Sequence, residues 1–229
     1  KNCNLRCDYC IYSGNYNTRT HNNLKMTSSI AKKGIDYLIK HSYDNDLLFL
    51  GFYGGEPLLE YPLIKECMDY TLKSVPDKKI HFSITTNGTL LTPKIVDQLI
   101  NYNIFLLVSI DGPEHIHDES RRFASNNKGS FRKIYDNLKY IQDHYPEFYK
   151  NNINFNIVVH ENGFNDVDEF VTNDPLFSNS IFLANFISDN YTDKKYSISE
   201  NSLIDYRYKR FLLYLQKTAY LKEYTPSKC

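Results

Sequence analysis

Residues 80–112 read IHFSITTNGTLLTPKIVDQLINYNIFLLVSIDG, a strand, a helix and a second strand in succession. Ile80 to Thr86 alternates in the two-residue period of a strand. Pro93 suits the first turn of a helix over Ile95–Ile100, where proline's missing N–H has no partner to lose. Ile104 to Ile110 is a continuous apolar strand that stops at Asp111-Gly112.

The flanking sequence repeats the unit. Thr27-Ser28-Ser29 forms a polar cap ahead of Ile30, Ala31, Ile35, Leu38 and Ile39 at helical spacing. Leu47 to Tyr53 reads as a strand ending at Gly54-Gly55, and Leu63 to Leu72 as a helix. After Gly112 comes a loop of roughly 17 residues, a length that suggests function. Phe131–Tyr145 is amphipathic, Ile153–Val159 reads as a strand and Val167–Val171 as a short helix. Ile181–Phe186 reads as a further strand and Leu203–Leu221 as a long terminal helix. Repeated β-then-α units imply an α/β fold, a parallel sheet with helices outside. Five strands are visible, and one more is expected ahead of residue 3, giving a partial (β/α)6 TIM-like barrel rather than a flat doubly wound sheet. Both ends read as cuts through a longer protein. In either architecture ligands belong at the carboxyl ends of the strands.

The 229 residues are read as one domain over 1–229, with 187–229 its helical C-terminal part. Hydrophobic residues make up 41% and charged residues 24%, ordinary for a globular protein. No apolar run reaches the ~20 residues of a membrane span, and no signal-peptide pattern opens the sequence, so a cytoplasmic location is expected. The formal net charge is zero, which gives nucleic acid no bulk electrostatic attraction.

Three of the five cysteines fall in Cys3-Asn-Leu-Arg-Cys7-Asp-Tyr-Cys10. Clustered thiolates indicate metal binding in a reducing compartment, and soft sulfur ligands select an iron–sulfur cluster or zinc. Three ligands on a four-iron cube leave one iron open to a substrate. A Cys₃His zinc site with His21 or His41 is the competing reading. Cys67 and Cys229 are too distant in sequence to supply a second zinc knuckle.

This CxxxCxxC run, with Tyr9 before its last cysteine, resembles the signature of the radical S-adenosylmethionine (SAM) superfamily. Further motifs follow in that family's order. Gly54-Gly55-Glu56-Pro57, otherwise a turn, resembles the segment holding the amino group of SAM, with glycines admitting the ligand and Glu56 accepting from its ammonium. Thr86-Asn87-Gly88-Thr89-Leu90-Leu91 resembles a strand-end segment near the SAM pocket, and puts Asn87 there. Ser109-Ile-Asp111-Gly-Pro places Ser109 near the ribose and Asp111 near the same region or the substrate. His117-Asp118-x-x-Arg121 matches a family pattern that holds no metal, and its arginine, Arg121, is a partner for the SAM carboxylate. Tyr9 is expected near the adenine, and the backbone of Asn156–Val159 along the adenine pocket.

The resemblance implies a [4Fe–4S] cluster on Cys3, Cys7 and Cys10, reductive cleavage of SAM there, and hydrogen-atom abstraction from a substrate. It points to the branch that matures peptides and proteins, and to an electron donor such as flavodoxin or ferredoxin. The motif set most resembles maturases of ribosomally made peptides that form thioether or carbon crosslinks. An anaerobic sulfatase-maturating enzyme is the alternative, and a non-catalytic zinc module is the reading from a different class. This branch usually continues into a SPASM or Twitch domain with auxiliary iron–sulfur clusters, for which Cys229 is a candidate first cysteine.

Overall fold

A computed structural model of the chain describes residues 2–17, 19–159, 164–178, 180–187 and 192–193, with isolated positions between 200 and 215. Its centre is a five-stranded parallel sheet of β1 (Leu47–Phe52), β2 (Lys79–Thr86), β3 (Phe105–Ser109), β4 (Ile153–Val159) and β5 (Phe182–Phe186). The strands lie in sequence order without reversal. Right-handed crossovers then return every helix to the same face, and a sheet wound in one direction curls into a barrel wall. A doubly wound sheet would reverse its order at a switch point. The fold is an open half-barrel.

Seven helices connect or flank these strands among the described residues: α1 (Ser28–His41), α2 (Tyr61–Ser74), α3 (Pro93–Ile100), α4 (Glu114–Ser120), α5 (Phe131–His144), α6 (Pro146–Asn152) and α7 (Phe164–Asn173). Thr27 caps α1, its hydroxyl accepting from Ile30 N at 3.4 Å, and Pro93 opens α3 as its position predicts. The expected loop after Gly112 is not structureless. It contains α4 and a short hairpin closed by an Arg122–Gly129 bridge. A helix this short leaves little apolar periodicity to read. The expected terminal helix is helical at residues 203, 204, 207, 208, 211 and 215, and its remainder lies outside the described residues, as does Cys229.

The two faces of the sheet differ. Phe82, Ile84, Leu106, Val108, Phe155 and Ile157 form one core with Met68, Val96, Leu99, Ile134, Leu138 and Ile141 of the helices, and Leu48 is buried on β1. The opposite, inner face carries Phe49, Ser83, Asn154, Asn156, Leu183 and Asn185, none of them buried. Register brings Ser109, Asn156 and Leu183 into one row across β3, β4 and β5 near the carboxyl ends.

Candidate active site

The cysteine loop lies across the carboxyl ends of the strands, held by backbone bonds on two sides. Leu5, almost fully buried, bridges Phe123, while Arg6 N donates to Arg122 O at 2.8 Å and Ala124 N to Asn4 O at 2.9 Å. On the β1 side Glu56 N donates to Asn2 O at 2.9 Å. This contact explains Gly55. A Cβ there would sit 2.0 Å from Asn2 O, so the glycine makes room for the cysteine loop. Nothing crowds Gly54.

Cys3, Cys7 and Cys10 are free thiols on one cavity of about 250 Å³, shared with Tyr9, Gly54, Gly55, Asn87, Ser109 and Arg121. Tyr12, His21, Tyr53, Thr85, Asn156 and Val158 complete much of the wall. Burial pushes the Cys7 thiol up to about 12, against the opposing Arg121 guanidinium, and raises Cys3 as well. Thiols in this state ionise on meeting a soft metal, which binds only the thiolate. One zinc ion draws sulfur ligands to about 2.3 Å from a single point. Among the described residues no three His, Cys, Asp or Glu side chains converge in that way. Three soft thiols on one cavity are a donor set that a four-iron cube takes, and their side chains would have to converge on it.

Asp111 organises the opposite wall. Fully buried, its Oδ2 accepts from Arg121 Nε at 2.7 Å and from the Tyr9 hydroxyl, and its Oδ1 accepts from Val158 N at 3.0 Å. The carboxylate therefore joins the end of β3, strand β4, the cysteine loop and the end of α4. Arg121 also lies 5.6 Å over the Tyr9 ring and reaches Cys7 Sγ at 3.9 Å. Burial raises the Tyr9 phenol well above its ordinary range, with Arg121 opposing and the Asp111 charge adding. Tyr9 is thus a neutral donor.

A second relay fixes the same wall. Asp111 N–H donates to His117 Nδ1 at 3.2 Å, which leaves the ring proton on Nε2, 3.0 Å from Ser130 Oγ. The Ser130 hydroxyl donates to Arg121 O at 2.8 Å. Asp118 Oδ1 accepts from Ser130 N and Phe131 N at the start of α5. His117 and Asp118 are therefore spent on scaffold, in keeping with a motif that holds no metal.

Two expected ligand contacts are placed differently. Glu56 is buried beside the neighbouring cavity instead of lining this one. Its carboxylate accepts from Leu58 N at 3.0 Å, Thr86 Oγ1 at 2.8 Å and Asn87 N at 2.7 Å, pinning the end of β2 to the Gly54-Gly55 turn. Burial lifts this carboxyl above its ordinary value, with the three donors opposing. Asp111 likewise stands behind the wall. Asn87 does line the cavity, but its amide donates to Asn4 Oδ1 at 2.8 Å and approaches Cys3 Sγ at 3.8 Å. The ring closes through Asn4 Nδ2 to Thr89 Oγ1 and Thr89 Oγ1 to Asn87 Oδ1. Sequence reading assigned no role to Asn4 and Thr86, although both lie within quoted motifs, or to Ser130, because a small polar side chain does not reveal its partner.

The chain resembles known proteins in sequence and in fold. The chain is 31% identical over 186 residues to the radical SAM cyclopropyl synthase TigE of Paramaledivibacter caminithermalis, a match covering 75% of this chain and 37% of that protein. It is 29% identical over 226 residues to the cysteine-type anaerobic sulfatase-maturating enzyme of Clostridium novyi, covering 92% and 58%. The chain thus spans between about a third and three fifths of these curated relatives. The solved structure of native anSMEcpe with bound AdoMet shares the fold at a TM-score of 0.73 and 24% identity, over 92% of this chain and 59% of that one. The same protein with bound AdoMet and Kp18Cys peptide gives 0.72 at 23%. The half-barrel is therefore a partial barrel of this enzyme type. With the Radical SAM superfamily model matching residues 1–172, three quarters of its length, this chain belongs to the radical SAM superfamily of enzymes.

Proposed function

We propose that the chain is the SAM-cleaving core of a maturase of ribosomally made peptides, with Cys3, Cys7 and Cys10 as ligands of a [4Fe–4S] cluster. The observation that carries this reading is the single cavity shared by three free thiols and the Gly54, Asn87, Ser109 and Arg121 walls. When bound, the cluster and SAM supply one-electron cleavage of the sulfonium bond and hydrogen-atom abstraction. The chain's own part is position. Arg121, its Nε taken by Asp111, has its remaining guanidinium nitrogens for the SAM carboxylate, and the Gly54-Gly55 backbone offers carbonyls to the ammonium. Ser109 is placed for a ribose hydroxyl, and Tyr9 closes the wall toward the adenine. Glu56 and Asp111 act one layer back, by holding these groups still.

Asn2 O lies beside the end of β1, whose outer edge is unpaired among the described residues. A strand leading into Asn2 along that edge would extend the barrel, and we place the auxiliary clusters of the whole enzyme in a further domain. Flavodoxin or ferredoxin is the proposed reductant. Among the described residues no helix is long and apolar enough to cross a membrane, and a cytoplasmic location is part of the proposal. Conversion of a sulfatase cysteine or serine to formylglycine is the second reading, favoured by the match to the Clostridium novyi enzyme over 92% of this chain and 58% of that protein.

The test is anaerobic reconstitution of the full-length enzyme. About four irons per core site and broad visible absorption are expected, lost on joint replacement of Cys3, Cys7 and Cys10 by Ala and kept in Cys67→Ala. Stoichiometric zinc without sulfide would overturn the assignment. With dithionite and SAM, a panel of peptides encoded beside the gene, together with Kp18Cys, should stimulate 5′-deoxyadenosine formation. Turnover of Kp18Cys alone would transfer the assignment to the second reading.

A further inference from the structure

Strand β4 breaks a local rule. It pairs with strands on both sides, yet its sequence Ile153-Asn154-Phe155-Asn156 places asparagine at alternate positions. Asparagine is depleted in strands, and barrel interiors are normally filled by branched apolar side chains. Violations of local preference are expected at functional positions. Both asparagines fall on the inner face, and a third, Asn185, stands beside them on β5.

Asn185 Nδ2 donates to Asn156 Oδ1 at 2.8 Å. Among the described residues neither side-chain amide makes another hydrogen bond. Each primary amide offers two donors and one acceptor. Their pairing leaves both Asn156 N–H groups, the second Asn185 N–H and the Asn185 carbonyl unused. Reversal of both amides gives an equivalent surplus, a free carbonyl on one amide and free N–H groups on both. That surplus can meet the N–H and C=O of one extended substrate residue, which point to the same side of the chain, whereas those of a single trans peptide group point apart.

Position supports the same occupant. Asn156 is on the wall of the cysteine cavity, in register with Ser109, whereas Asn185 is outside it and exposed. The pair therefore begins at the cavity and leads outward along the sheet toward β5. A group bound there is held next to the reacting centre without entering it.

We propose that Asn156 and Asn185 form an amide clamp for the backbone N–H and C=O of one extended substrate residue, adjacent to the residue that loses hydrogen. The clamp recognises main chain rather than a side chain, so it sets where the substrate lies and leaves sequence choice to other contacts. It rests on the peptide-modifying reading above. Both are positioning residues: they donate to or accept from the substrate backbone and take no part in bond breaking.

The experiment uses the full-length enzyme with its cluster and whichever panel peptide supports 5′-deoxyadenosine formation. Asn185→Ala should raise the peptide KM about 10-fold, with kcat and the SAM dissociation constant little changed. Asn185→Asp keeps an acceptor and should recover most of the loss. A series of the same peptide carrying one backbone ester at a time removes single N–H donors. One ester should cost the wild type about as much as Asn185→Ala does, and cost that variant nothing further. An unchanged KM in an otherwise active enzyme overturns the clamp and leaves the peptide reading standing. An equal loss of SAM affinity overturns it too, by assigning the pair to SAM. If no peptide stimulates the wild type, the functional reading itself fails and takes the clamp with it.

Discussion

Phe155 and Asn156 are consecutive residues of one strand and belong to different kinds of surface. Phe155 is fully buried, packing edge-on to Phe177 at 5.0 Å and stacked on Phe182 at 5.2 Å. Asn156 faces the open interior and touches another amide. The outer face holds the half-barrel together by apolar burial, while the inner face spends strand positions on polar groups that contribute little to folding. Stability and chemistry are thus separated by the two-residue period of the strand. Every second residue of β4 answers to a different requirement.

Substitutions on the two faces should therefore separate cleanly. Phe155→Ala is expected to lower unfolding free energy by about 3–5 kcal/mol, since it loses apolar burial and leaves a cavity beside the rings of Phe177 and Phe182. Urea denaturation of the apoprotein measures this. A loss below ~1 kcal/mol would mean that the outer face is not the framework. Asp111→Asn comes next, because Asp111 is a strand-end residue serving both purposes. It leaves the buried Arg121 guanidinium without its counter-charge, and about 3 kcal/mol should be lost. Iron loading should fall in parallel as Tyr9 and Arg121 lose their common anchor. Retained stability with lost loading would show that the carboxylate serves only the site. Asn154→Val on the inner face should change stability by no more than about 0.5 kcal/mol, because branched side chains suit strands and nothing packed is removed. A larger loss would erase the contrast between the faces.

The fold was legible because its elements are short and strongly patterned. Apolar runs ending in glycine marked the first three strands, and Thr27 and Pro93 marked helix starts. Helices α4 and α6, seven residues each, were not legible, since two turns cannot display a period. At the site, the residues lining the cavity came through motifs: Tyr9, Gly54, Asn87, Ser109 and Arg121. What the motifs could not convey was the layer behind them. Glu56 and Asp111 read as ligand contacts because a carboxylate near a binding motif offers itself to a cation. The structure shows each instead accepting from three protein donors and holding the wall. Asn185 was invisible, because its partner lies 29 residues away and only the sheet register unites them.

The sequential strand order has a consequence for how the enzyme is made. Cys3, Cys7 and Cys10 are synthesised ahead of the rest of the site, and the hairpin that splints their loop and the Arg121 anchor follow about 110 residues later. At about 5–20 residues per second the three thiols wait on the order of 5–20 s before their frame exists. Each strand can dock on its predecessor during that interval, while the loop cannot. Cluster delivery is therefore expected only after Arg121 has been made. Nascent chains stalled before Arg121 are expected to acquire no iron, whereas those extended beyond β4 should begin to do so.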